Sequence, residues 1–532
     1  MPNNNPTFNG LPATGQLLMA GSDARIALDP LSGLNKYGCQ PLPDPDLLAF
    51  GSSTASVIST AAFASAKAFR QKLLLDMHTE PFDVIYGREI ERIRSELLKL
   101  CEISDIHGLE IIFASSGTEL HFIAAQYAAS SELMPALAVM VEADETGSGV
   151  AAALAGRAFN TEASKNFTVL AGTSFTGGSA LEVVSVPARL ADGTPRRLED
   201  MDVEVETLVT GAAALGRRVL LILVDQSKTG LIAPSPACVA KLFHLLPDSL
   251  DVLVDACQFR IAPPTLRAYL EQGFMVALSG SKFVTGPSFS AALLLPSTMA
   301  KRLQRRTFPS ALVSCSYREN WPPYWESANK LGSVEDYGVS SFGMLLRWEA
   351  ALEELRRFRA VPQAEIIDFL KTFAHAVRYC LADNPLFEAL PVPQLDRHPM
   401  IEANSWDHLQ TIFPFLLYHP ATFAGRIPLR REETILAYQW LQVDLAENPA
   451  FNFTDSADGV ASKRCLFGQP VACGERDGIE VSALRICASS RLIVEATSQG
   501  GKGAAAVIGD ALAALNKTAL LIRSGLGAAR GR

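Results

Sequence analysis

The sequence contains little that would indicate a secreted, membrane-spanning or zinc-binding protein. Its 532 residues include nine scattered cysteines with no C-x-x-C or paired histidine spacing, and the odd number does not suggest a disulfide framework. The amino terminus, MPNNNPTFNGLPATGQ, lacks the charged start and continuous apolar stretch of a secretory signal. No uninterrupted apolar run approaches the length of a membrane span. We therefore expect a cytoplasmic protein without a metal centre.

Basic residues are also scarce. The 47 Lys and Arg are outnumbered by 56 Asp and Glu, which gives a net charge of -9 and no basic stripe. Nucleic acid and anionic membrane surfaces are therefore not expected partners. Hydrophobic residues make up 48% of the chain, enough to bury a large core and an oligomer interface as well. This composition excludes a disordered or fibrous class and leaves a small molecule as the expected partner.

The segment from Val252 to Pro296 carries the most specific pattern of the chain. An apolar run ends in Asp255, a Pro-containing helical stretch follows, and a second apolar run from Phe274 to Leu278 leads into Ser-Gly-Ser-Lys282. Because parallel strands present their carboxyl ends at one edge of a sheet, we expect Asp255 and Lys282 to converge there. A lysine in that place can form a Schiff base with an aldehyde, and a carboxylate opposite can keep a pyridine nitrogen protonated.

Two features bear on whether Lys282 is more than a surface lysine. Small residues on both sides of it, Ser279, Gly280 and Ser281 before and Gly286 after, indicate a tight loop around a ligand. Upstream, EIIFASSGTELHFIAAQYAA reads as a strand, a turn and a helix whose free backbone N–H groups would attract an anion. Gly117 and Thr118 are then the expected phosphate contacts, although the same letters also fit a capped helix without a ligand.

These motifs resemble the class V aminotransferase family of fold-type I enzymes that use pyridoxal phosphate (PLP), a family that includes cysteine desulfurases. The resemblance lies in D-x-x-Q at Asp255 to Gln258, S-G-x-K at Ser279 to Lys282, and the Gly286-Pro287 that follows. Family members commonly have a histidine before the lysine, where this chain has Ser281. The resemblance implies an α/β fold: a large domain with a mostly parallel seven-stranded sheet between helices, and a smaller C-terminal α/β domain. It also implies a homodimer.

Within this resemblance, each site residue receives an expected role. Lys282 would hold PLP and Asp255 would pair with its ring nitrogen. The expected cofactor contacts are Gly117, Thr118, Ser227, Asp255, Gln258, Ser279, Ser281 and Lys282.

Ser227 stands in RVLLILVDQSKTGLIAPS at the family's S-N-x-x-G turn, where a plain strand-to-helix turn is an equal alternative. Lys228 is the rival Schiff-base lysine, but no Asp-containing strand precedes it, so we expect a surface or gate residue.

The strand SALRICASSRLIVEA resembles the family strand whose arginine binds the substrate carboxylate. A guanidinium matches a carboxylate in bidentate fashion, so Arg485 is the expected substrate contact, with Arg491 as second choice. The alternative for Arg485 is an edge-strand arginine that faces water.

The aromatic or histidine side chain that stacks on the PLP ring in the family has no counterpart in VEADETGSG. Glu145 in this segment would either act on the substrate or belong to an acidic turn. His121, on the predicted phosphate helix, is either a ring neighbour or an ordinary helix-face histidine.

The chain divides into three predicted parts. Residues 1–45, rich in Asn, Pro and Gly, predict an extended arm, residues 46–345 the large PLP-binding domain, and residues 346–532 the small domain with its linker helix. Amphipathic periodicity predicts a helix over Arg88 to Leu100, and alanine-rich sequence another over Gly503 to Ile522.

The reaction that the resemblance implies is transfer of an amino group from an amino acid or related amine. A cysteine desulfurase or other lyase is the alternative, with Cys465 or Cys473 as nucleophile, although cysteine is most often a small buried residue. A non-catalytic PLP-binding scaffold is the third possibility.

Overall fold

The structure, a computed structural model, describes residues 10–21, 24–35, 37–51, 55–128, 135–159, 172–174, 181–305, 312–313, 316–402, 404–420, 425–446, 448–449, 451 and 459–526. The described α-helices are α1 (Thr14–Leu18), α2 (Thr60–Asp76), α3 (Phe82–Leu100), α4 (Gly117–Ala128), α5 (Val150–Leu154), α6 (Leu198–Ala214), α7 (Pro236–Leu245), α8 (Pro263–Glu271), α9 (Ser297–Gln304), α10 (Phe342–Arg359), α11 (Gln363–Asp383), α12 (Arg431–Leu441), α13 (Ser490–Thr497) and α14 (Ala504–Arg523). The strands are β1 (Leu47–Ala49), β2 (Glu110–Ala114), β3 (Leu137–Val141), β4 (Glu182–Val186), β5 (Val219–Asp225), β6 (Ile232–Ala233), β7 (Leu250–Ala256), β8 (Met275–Ser279), β9 (Ala291–Leu295), β10 (Phe387–Ala389), β11 (Ile412–Leu417), β12 (Arg464–Leu466), β13 (Gly468–Arg476) and β14 (Ile479–Cys487).

The central sheet has the strand order β2-β9-β8-β7-β5-β3-β4, and the short β6 pairs with β5. β9 runs antiparallel to β2 and β8, whereas β8, β7, β5, β3 and β4 are mutually parallel. β5 and β7 are apolar and buried along their whole length, as expected for strands covered by helices on both faces. The predicted mostly parallel seven-stranded sheet is confirmed.

The order of three neighbouring strands explains how distant residues meet. β5, β7 and β8 lie side by side in parallel, with Asp255 paired to Ala277 in the register of β7 and β8. The carboxyl ends of all three strands therefore reach the same edge of the sheet, which is where α/β folds bind ligands. The turns after β5, after β7 and after β8 are neighbours at this edge, although β5 ends at Asp225 and β8 only at Ser279.

A second sheet is antiparallel, with the order β10-β11-β14-β13. Helices α11 and α12 pack against this sheet, and α14 packs against both of these helices. β14 is an inner strand of this sheet, because β11 and β13 flank it. The long helix α10 precedes the second sheet and packs against α2, α3 and α13, as expected for a linker helix. The domain limits 46–345 and 346–532 stay predictions.

A buried ion-pair cluster joins the two sheets. Arg397 donates to both carboxylate oxygens of Asp225, at 2.7 Å each, and Tyr269 donates to the same carboxylate at 2.8 Å. Asp407 accepts from the backbone N–H of Ala262 at 2.8 Å and from the Thr265 hydroxyl at 2.6 Å. Arg397 and Asp407 come from a segment in which the sequence suggested no role. This segment therefore anchors the second sheet to the end of β5.

The amino-terminal segment differs in part from the extended arm expected over residues 1–45. Residues 14–18 form α1, which packs on α10, and buried Arg347 of α10 donates to the carbonyl oxygens of Leu18 at 3.1 Å and Ala20 at 2.6 Å. The same guanidinium donates to the carbonyl of Phe289 at 2.9 Å. One buried cation thus ties the amino-terminal segment to the chain that follows β8, because backbone carbonyls satisfy a charge that burial removes from water.

Two predicted helices are confirmed in place. The amphipathic helix over Arg88–Leu100 is the second half of α3, and the alanine-rich helix is α14. By length and composition, α14 is the one helix of the described residues that is apolar enough to cross a bilayer, but half of it is buried inside the fold. Lys517 within it donates to the carbonyl oxygens of Leu441, at 3.2 Å, and Val443, at 2.6 Å. These contacts are those of a core helix.

Candidate active site

A cavity of about 240 Å³ lies at the carboxyl ends of β7 and β8. Two of its charged lining residues are Asp255, at the end of β7, and Lys282, three residues after β8. The structure therefore brings together the carboxylate and the lysine that the sequence paired. The other predicted site residues that line the cavity are Gly117, Thr118, Gln258, Ser279, Ser281 and Arg485.

The amino-terminal end of α4 forms one wall. Gly117 and Thr118 are its first residues, and the backbone N–H of Glu119 donates to the Ser116 hydroxyl at 3.3 Å. The Glu119 carboxylate in turn accepts from the N–H of Ser115 at 2.7 Å. The helix is thus capped and its amino-terminal end also lines the cavity, and the phosphate contact at Gly117 and Thr118 stays a prediction. A Cβ at Gly117 would lie 2.6 Å from the sulfur of Cys257, which explains why glycine is required here.

Asp255 is buried and ionised. Burial alone would raise its pKa, but the charges of His121 and Lys282 and a hydrogen bond of 3.1 Å from the N–H of Cys257 outweigh burial and lower the pKa below its usual range. His121 Nδ1 lies 2.7 Å from the carbonyl of Gly117, and its Nε2 lies 3.5 Å from Asp255 Oδ2. His121 therefore lies beside the carboxylate, and its buried Nε2 makes no hydrogen bond within the described structure.

The loop that carries Lys282 packs tightly against α10. A Cβ at Gly280 or at Gly286 would come within 2.7 Å of the Ala351 side chain on α10. These two glycines are therefore required by the close approach of the loop to the linker helix, which corrects the expectation that all the small residues surround a ligand. The hydroxyls of Ser279 and Ser281, 2.9 Å apart, are the small side chains that do line the cavity.

Arg485 enters the cavity from the second sheet. It is 3% exposed, and its Nη1 and Nη2 donate to the carbonyl oxygens of Lys228 at 3.2 Å and Gln469 at 2.6 Å. Its Nε has no partner in the described part of the chain, and burial lowers the pKa of the guanidinium. The alternative of an edge-strand arginine in water is wrong, because β14 is an inner strand.

The second-choice arginine, Arg491, is engaged elsewhere. Its guanidinium donates to the Glu354 carboxylate at 2.9 Å and to the carbonyl oxygens of Val57 at 2.9 Å and Thr285 at 2.8 Å. It does not line the cavity. These bonds join α13, α10 and the Lys282 loop, so Arg491 stabilises the fold around the site.

Ser227 and Glu145 belong to one buried polar cluster beside the cavity. The Ser227 hydroxyl donates to Glu145 Oε2 at 2.6 Å, and Arg189 and Thr229 donate to Glu145 Oε1, both at 2.8 Å. The Ser227 hydroxyl thus satisfies a buried carboxylate and does not line the cavity, and its expected contact with the cofactor stays a prediction. Glu145 has no free oxygen for a substrate and is part of a structural turn.

Several residues of the cavity received no role in it from the sequence, among them Arg25, Tyr37 and Lys228. Lys228 lines the cavity and is half-buried, and its expected role as a surface or gate residue stays a prediction. Burial and the positive charges of Arg485 and Lys282 lower the pKa of Lys228 to about 8. Arg25 and Tyr37, from the amino-terminal segment, also line the cavity, with the Arg25 guanidinium 4.8 Å from the centre of the Phe289 ring. No local motif marks these residues, since only tertiary contacts bring them to the sheet edge.

Backbone strain is concentrated around the cavity. Gln226, Phe259, Thr285 and Phe289 all have positive φ, at 61°, 56°, 63° and 72°. Each lies in a turn that follows β5, β7 or β8. Left-handed conformations cost side-chain-bearing residues about 1 kcal/mol or more and cluster where function requires an unusual turn. The strain therefore supports a ligand site at this edge.

Neither cysteine proposed as a nucleophile reaches the cavity. Cys465 lies on β12 and Cys473 on β13, and both are fully buried. Burial raises the pKa of each thiol to about 11, so thiolate is scarce at neutral pH. Cys257 does line the cavity, but burial raises its pKa well above the ordinary value.

Comparison with known proteins agrees with this architecture. Ureidoglycine-glyoxylate aminotransferase from Bacillus subtilis is similar in structure at a TM-score of 0.50 and 10% identity, over 92% of this chain and 96% of the other. The cysteine desulfurase CsdA from Escherichia coli is similar at a TM-score of 0.50 and 15% identity, over 90% and 95%. No family model and no curated protein sequence matches the chain. The prediction of the α/β fold of fold-type I PLP-dependent enzymes is confirmed.

Proposed function

We propose that the protein is a PLP-dependent aminotransferase of the class V type, which binds its cofactor through Lys282 and acts on an amino acid or related amine. The observation that carries the proposal is the convergence of three charged groups on one cavity. Lys282, Asp255 and Arg485 come from three strands and two sheets, yet all line the same 240 Å³ space. The two structural relatives have different reactions on one fold, so the choice of reaction rests on the site.

The residues of the cavity fit PLP in their chemistry. The amino end of α4 offers free backbone N–H groups and the positive end of the helix dipole to a phosphate at Gly117 and Thr118. Asp255 is an ionised carboxylate that would pair with a protonated ring nitrogen. Gln258, Ser279 and Ser281 supply further polar contacts. When bound, the cofactor supplies an aldehyde for covalent attachment and a ring that withdraws electrons from the substrate.

Three side chains of the cavity would have separate roles in the reaction. Arg485 would bind the substrate carboxylate through its guanidinium, which orients the α-carbon. Lys282 would hold the cofactor, and its free amine would be the base for the α-proton of the substrate. His121 would be a positioning residue, because its Nε2 lies 3.5 Å from Asp255 Oδ2 and its Nδ1 lies 2.7 Å from the carbonyl oxygen of Gly117.

The buried positions of Cys465 and Cys473 favour amino transfer over desulfuration. A desulfurase needs a nucleophilic thiolate above the cofactor, and neither thiol lines the cavity. A non-catalytic scaffold would not need an arginine buried without a carboxylate partner, which Arg485 is in the described structure. This guanidinium, which has backbone carbonyls but no carboxylate as partners in the described structure, therefore supports an enzyme that binds a carboxylate substrate.

Two measurements test the proposal. Borohydride reduction of the PLP-loaded protein, followed by peptide mass analysis, is expected to find the modified lysine at position 282, and the Lys282→Ala variant is the control. A panel of amino acids is then added and the absorbance spectrum recorded. Conversion to the pyridoxamine form supports transfer, release of sulfide or ammonia with a keto acid indicates a lyase, and a spectrum without response indicates a scaffold. A protein that stays colourless with PLP would overturn the proposal.

We also propose a homodimer in the cytoplasm with a small-molecule amino-acid substrate. Structural relatives of this fold act on small molecules, and no basic surface motif in the sequence suggests nucleic acid. Light scattering coupled to size-exclusion chromatography is expected to give twice the 57.2 kDa chain mass. A monomer that remains active would contradict the dimer.

A further inference from the structure

Lys228 is a second lysine in the cavity, and the proposed reaction gives it no role. It lies in the turn between β5 and β6, and both its backbone N–H and its backbone carbonyl form hydrogen bonds. Its N–H donates to the carbonyl of Glu145 at 2.8 Å, and its own carbonyl accepts from Arg485 Nη1 at 3.2 Å. Its position is therefore fixed relative to the guanidinium that would bind the substrate carboxylate.

The charges around Lys228 are unfavourable in the absence of a ligand. Burial and the positive charges of Arg485 and Lys282 hold the pKa of Lys228 down to about 8. The carboxylates of Asp144 and Glu145 raise the pKa of Lys228 and offset this only in part, and that of Glu145 is already satisfied by Arg189, Ser227 and Thr229. Within the described residues, Lys228 forms no ion pair, and its Nζ donates to the carbonyl oxygen of Ala143 at 3.1 Å.

A buried cation without a carboxylate partner costs free energy unless a ligand supplies the opposite charge. Arg485 can take the α-carboxylate of an amino acid, which leaves Lys228 next to it without an ion-pair partner and with its positive charge only partly compensated. The charge needed at Lys228 is thus that of a second anionic group on the same substrate.

We propose that the cavity selects an amino acid with an anionic side chain, and that Lys228 is the residue that binds the side-chain anion. The inference rests on the proposed function, in which Arg485 binds the α-carboxylate. The shared chemistry is a second carboxylate, phosphate or sulfonate a few carbon atoms from the amino group. Arg25, at the Phe289 wall of the same cavity, is the competing cation for this group.

The first test measures binding rather than turnover. Glutarate and pentanoate have the same chain length and differ in one carboxylate, so their dissociation constants for the PLP-loaded protein are compared by calorimetry. We expect glutarate to bind at least ~10-fold more tightly, since charged hydrogen bonds contribute about 1.5–3 kcal/mol. The Lys228→Met variant is expected to bind both equally. Equal binding by the unaltered protein, or a preference that survives in Lys228→Met, overturns the inference.

Two variants serve as controls. Lys241→Met removes an exposed lysine of α7 whose partner is Glu206, and it is expected to keep the glutarate preference. Arg25→Gln is expected to keep it as well, and loss of the preference in Arg25→Gln instead of Lys228→Met overturns the assignment to Lys228. If Lys228→Met weakens PLP binding and leaves the glutarate preference intact, Lys228 is a cofactor contact and the inference fails.

The second test identifies the anion and separates this inference from the proposed function. Glutamate, cysteate and O-phosphoserine are compared with glutamine and alanine in the spectral half-reaction. Faster conversion of an anionic amino acid, lost in Lys228→Met, supports the inference and names the group. Faster conversion of alanine or glutamine leaves the transferase standing and overturns the substrate class. If no amino acid converts but the Lys228-dependent glutarate preference holds, the transferase fails and the binding inference stands.

Discussion

Two buried arginines show how this molecule uses charge in two regions. Arg397, between the sheets, is fully buried and donates to both oxygens of Asp225, and these neighbours raise its pKa despite the burial. Arg485, at the cavity, is 3% exposed and donates to two backbone carbonyls, and burial lowers its pKa. The first charge is compensated within the protein and the second is not.

The difference separates structural charges from ligand-binding charges. A buried pair is strongly destabilising to break because one partner remains as an uncompensated charge. A buried charge without a carboxylate already carries that cost in the free protein, and a ligand of opposite charge removes it. The cluster at Asp225 should therefore matter for stability, and the group of Arg485, Lys228 and Lys282 for binding and reaction. Each prediction below tests one side of this division.

The largest effect is expected at Lys282. Lys282→Ala removes the proposed attachment point and base, so amino transfer should fall by on the order of 10³-fold or more. The midpoint of unfolding should change little, because the structure shows Lys282 at the cavity and not in the core. The check is single-turnover absorbance with Lys241→Ala as control. Retained activity in Lys282→Ala would transfer the covalent role to Lys228.

The next largest effect is expected at the inter-sheet cluster. Arg397→Met leaves the Asp225 carboxylate buried with only Tyr269 as a side-chain partner in the described structure, so unfolding should become easier by roughly 3–5 kcal/mol. Urea unfolding of the loaded protein measures it. Asp225→Asn combined with Arg397→Met should recover part of the loss, since Asp407 is then the one carboxylate of the two facing Arg397 that stays charged. A small change in the single variant would contradict a structural role.

A smaller effect is expected at Arg485, and it should appear in substrate binding and not, as at Arg397, in stability. Arg485→Gln should raise KM for an amino acid by about 10- to 100-fold, because a charged hydrogen-bonded contact contributes roughly 1.5–3 kcal/mol. The urea midpoint should stay the same or rise, since a buried cation without a carboxylate is removed. Steady-state kinetics and unfolding are measured on the same preparation. Loss of stability with unchanged KM would show that Arg485, like Arg397, is a structural charge and not a substrate contact.

The smallest effect is a pH dependence that compares the half-buried Lys228 with the fully buried Lys517. The pKa of Lys228 and that of Lys517 are both lowered from 10.5 to about 8, mainly by burial. Between these values the unfolded chain holds protons that the folded protein has lost, so stability should rise from about pH 8 to about pH 10.5. Lys228→Met and Lys517→Met should each reduce this rise, as urea unfolding at several pH values will show.

At about pH 8 the same two variants should differ in stability. Lys517 donates to the carbonyls of Leu441 and Val443, which its loss leaves without their donor, so Lys517→Met should destabilise the fold. Lys228 donates to a single carbonyl next to two other cations, so Lys228→Met should be neutral or slightly stabilising. A matched loss of stability in both would remove the distinction between core and cavity lysines.

The local parts of the fold could be predicted from the sequence. Apolar runs that end in Asp255 and near Lys282 defined adjacent parallel strands, because the alternation of strand and crossover helix leaves few topologies. The turn at Gly117 and the strand around Arg485 were also assigned from short motifs. These features are encoded by neighbours in the chain, where periodicity and turn chemistry act directly.

The contributions of distant segments could not be predicted in this way. Arg25 and Lys228 reach the cavity, and Ser227 turns away from it to Glu145, through contacts between residues far apart in sequence. Gly280 and Gly286 looked like ligand-loop residues, but their space is taken by Ala351. No pattern of residue types records which side of a loop faces a helix and which faces a cavity.

By itself the sequence determined the class of fold and the pair of residues at its centre, because strand order at a parallel sheet edge follows from local pattern and handedness. Only the tertiary structure decided which charges are compensated. Asp225 finds Arg397 across 172 residues, whereas Arg485 and Lys228 find no carboxylate in the described chain. Burial and pairing depend on which residues are neighbours in three dimensions, and they distinguish a structural charge from one that is available to bind a ligand.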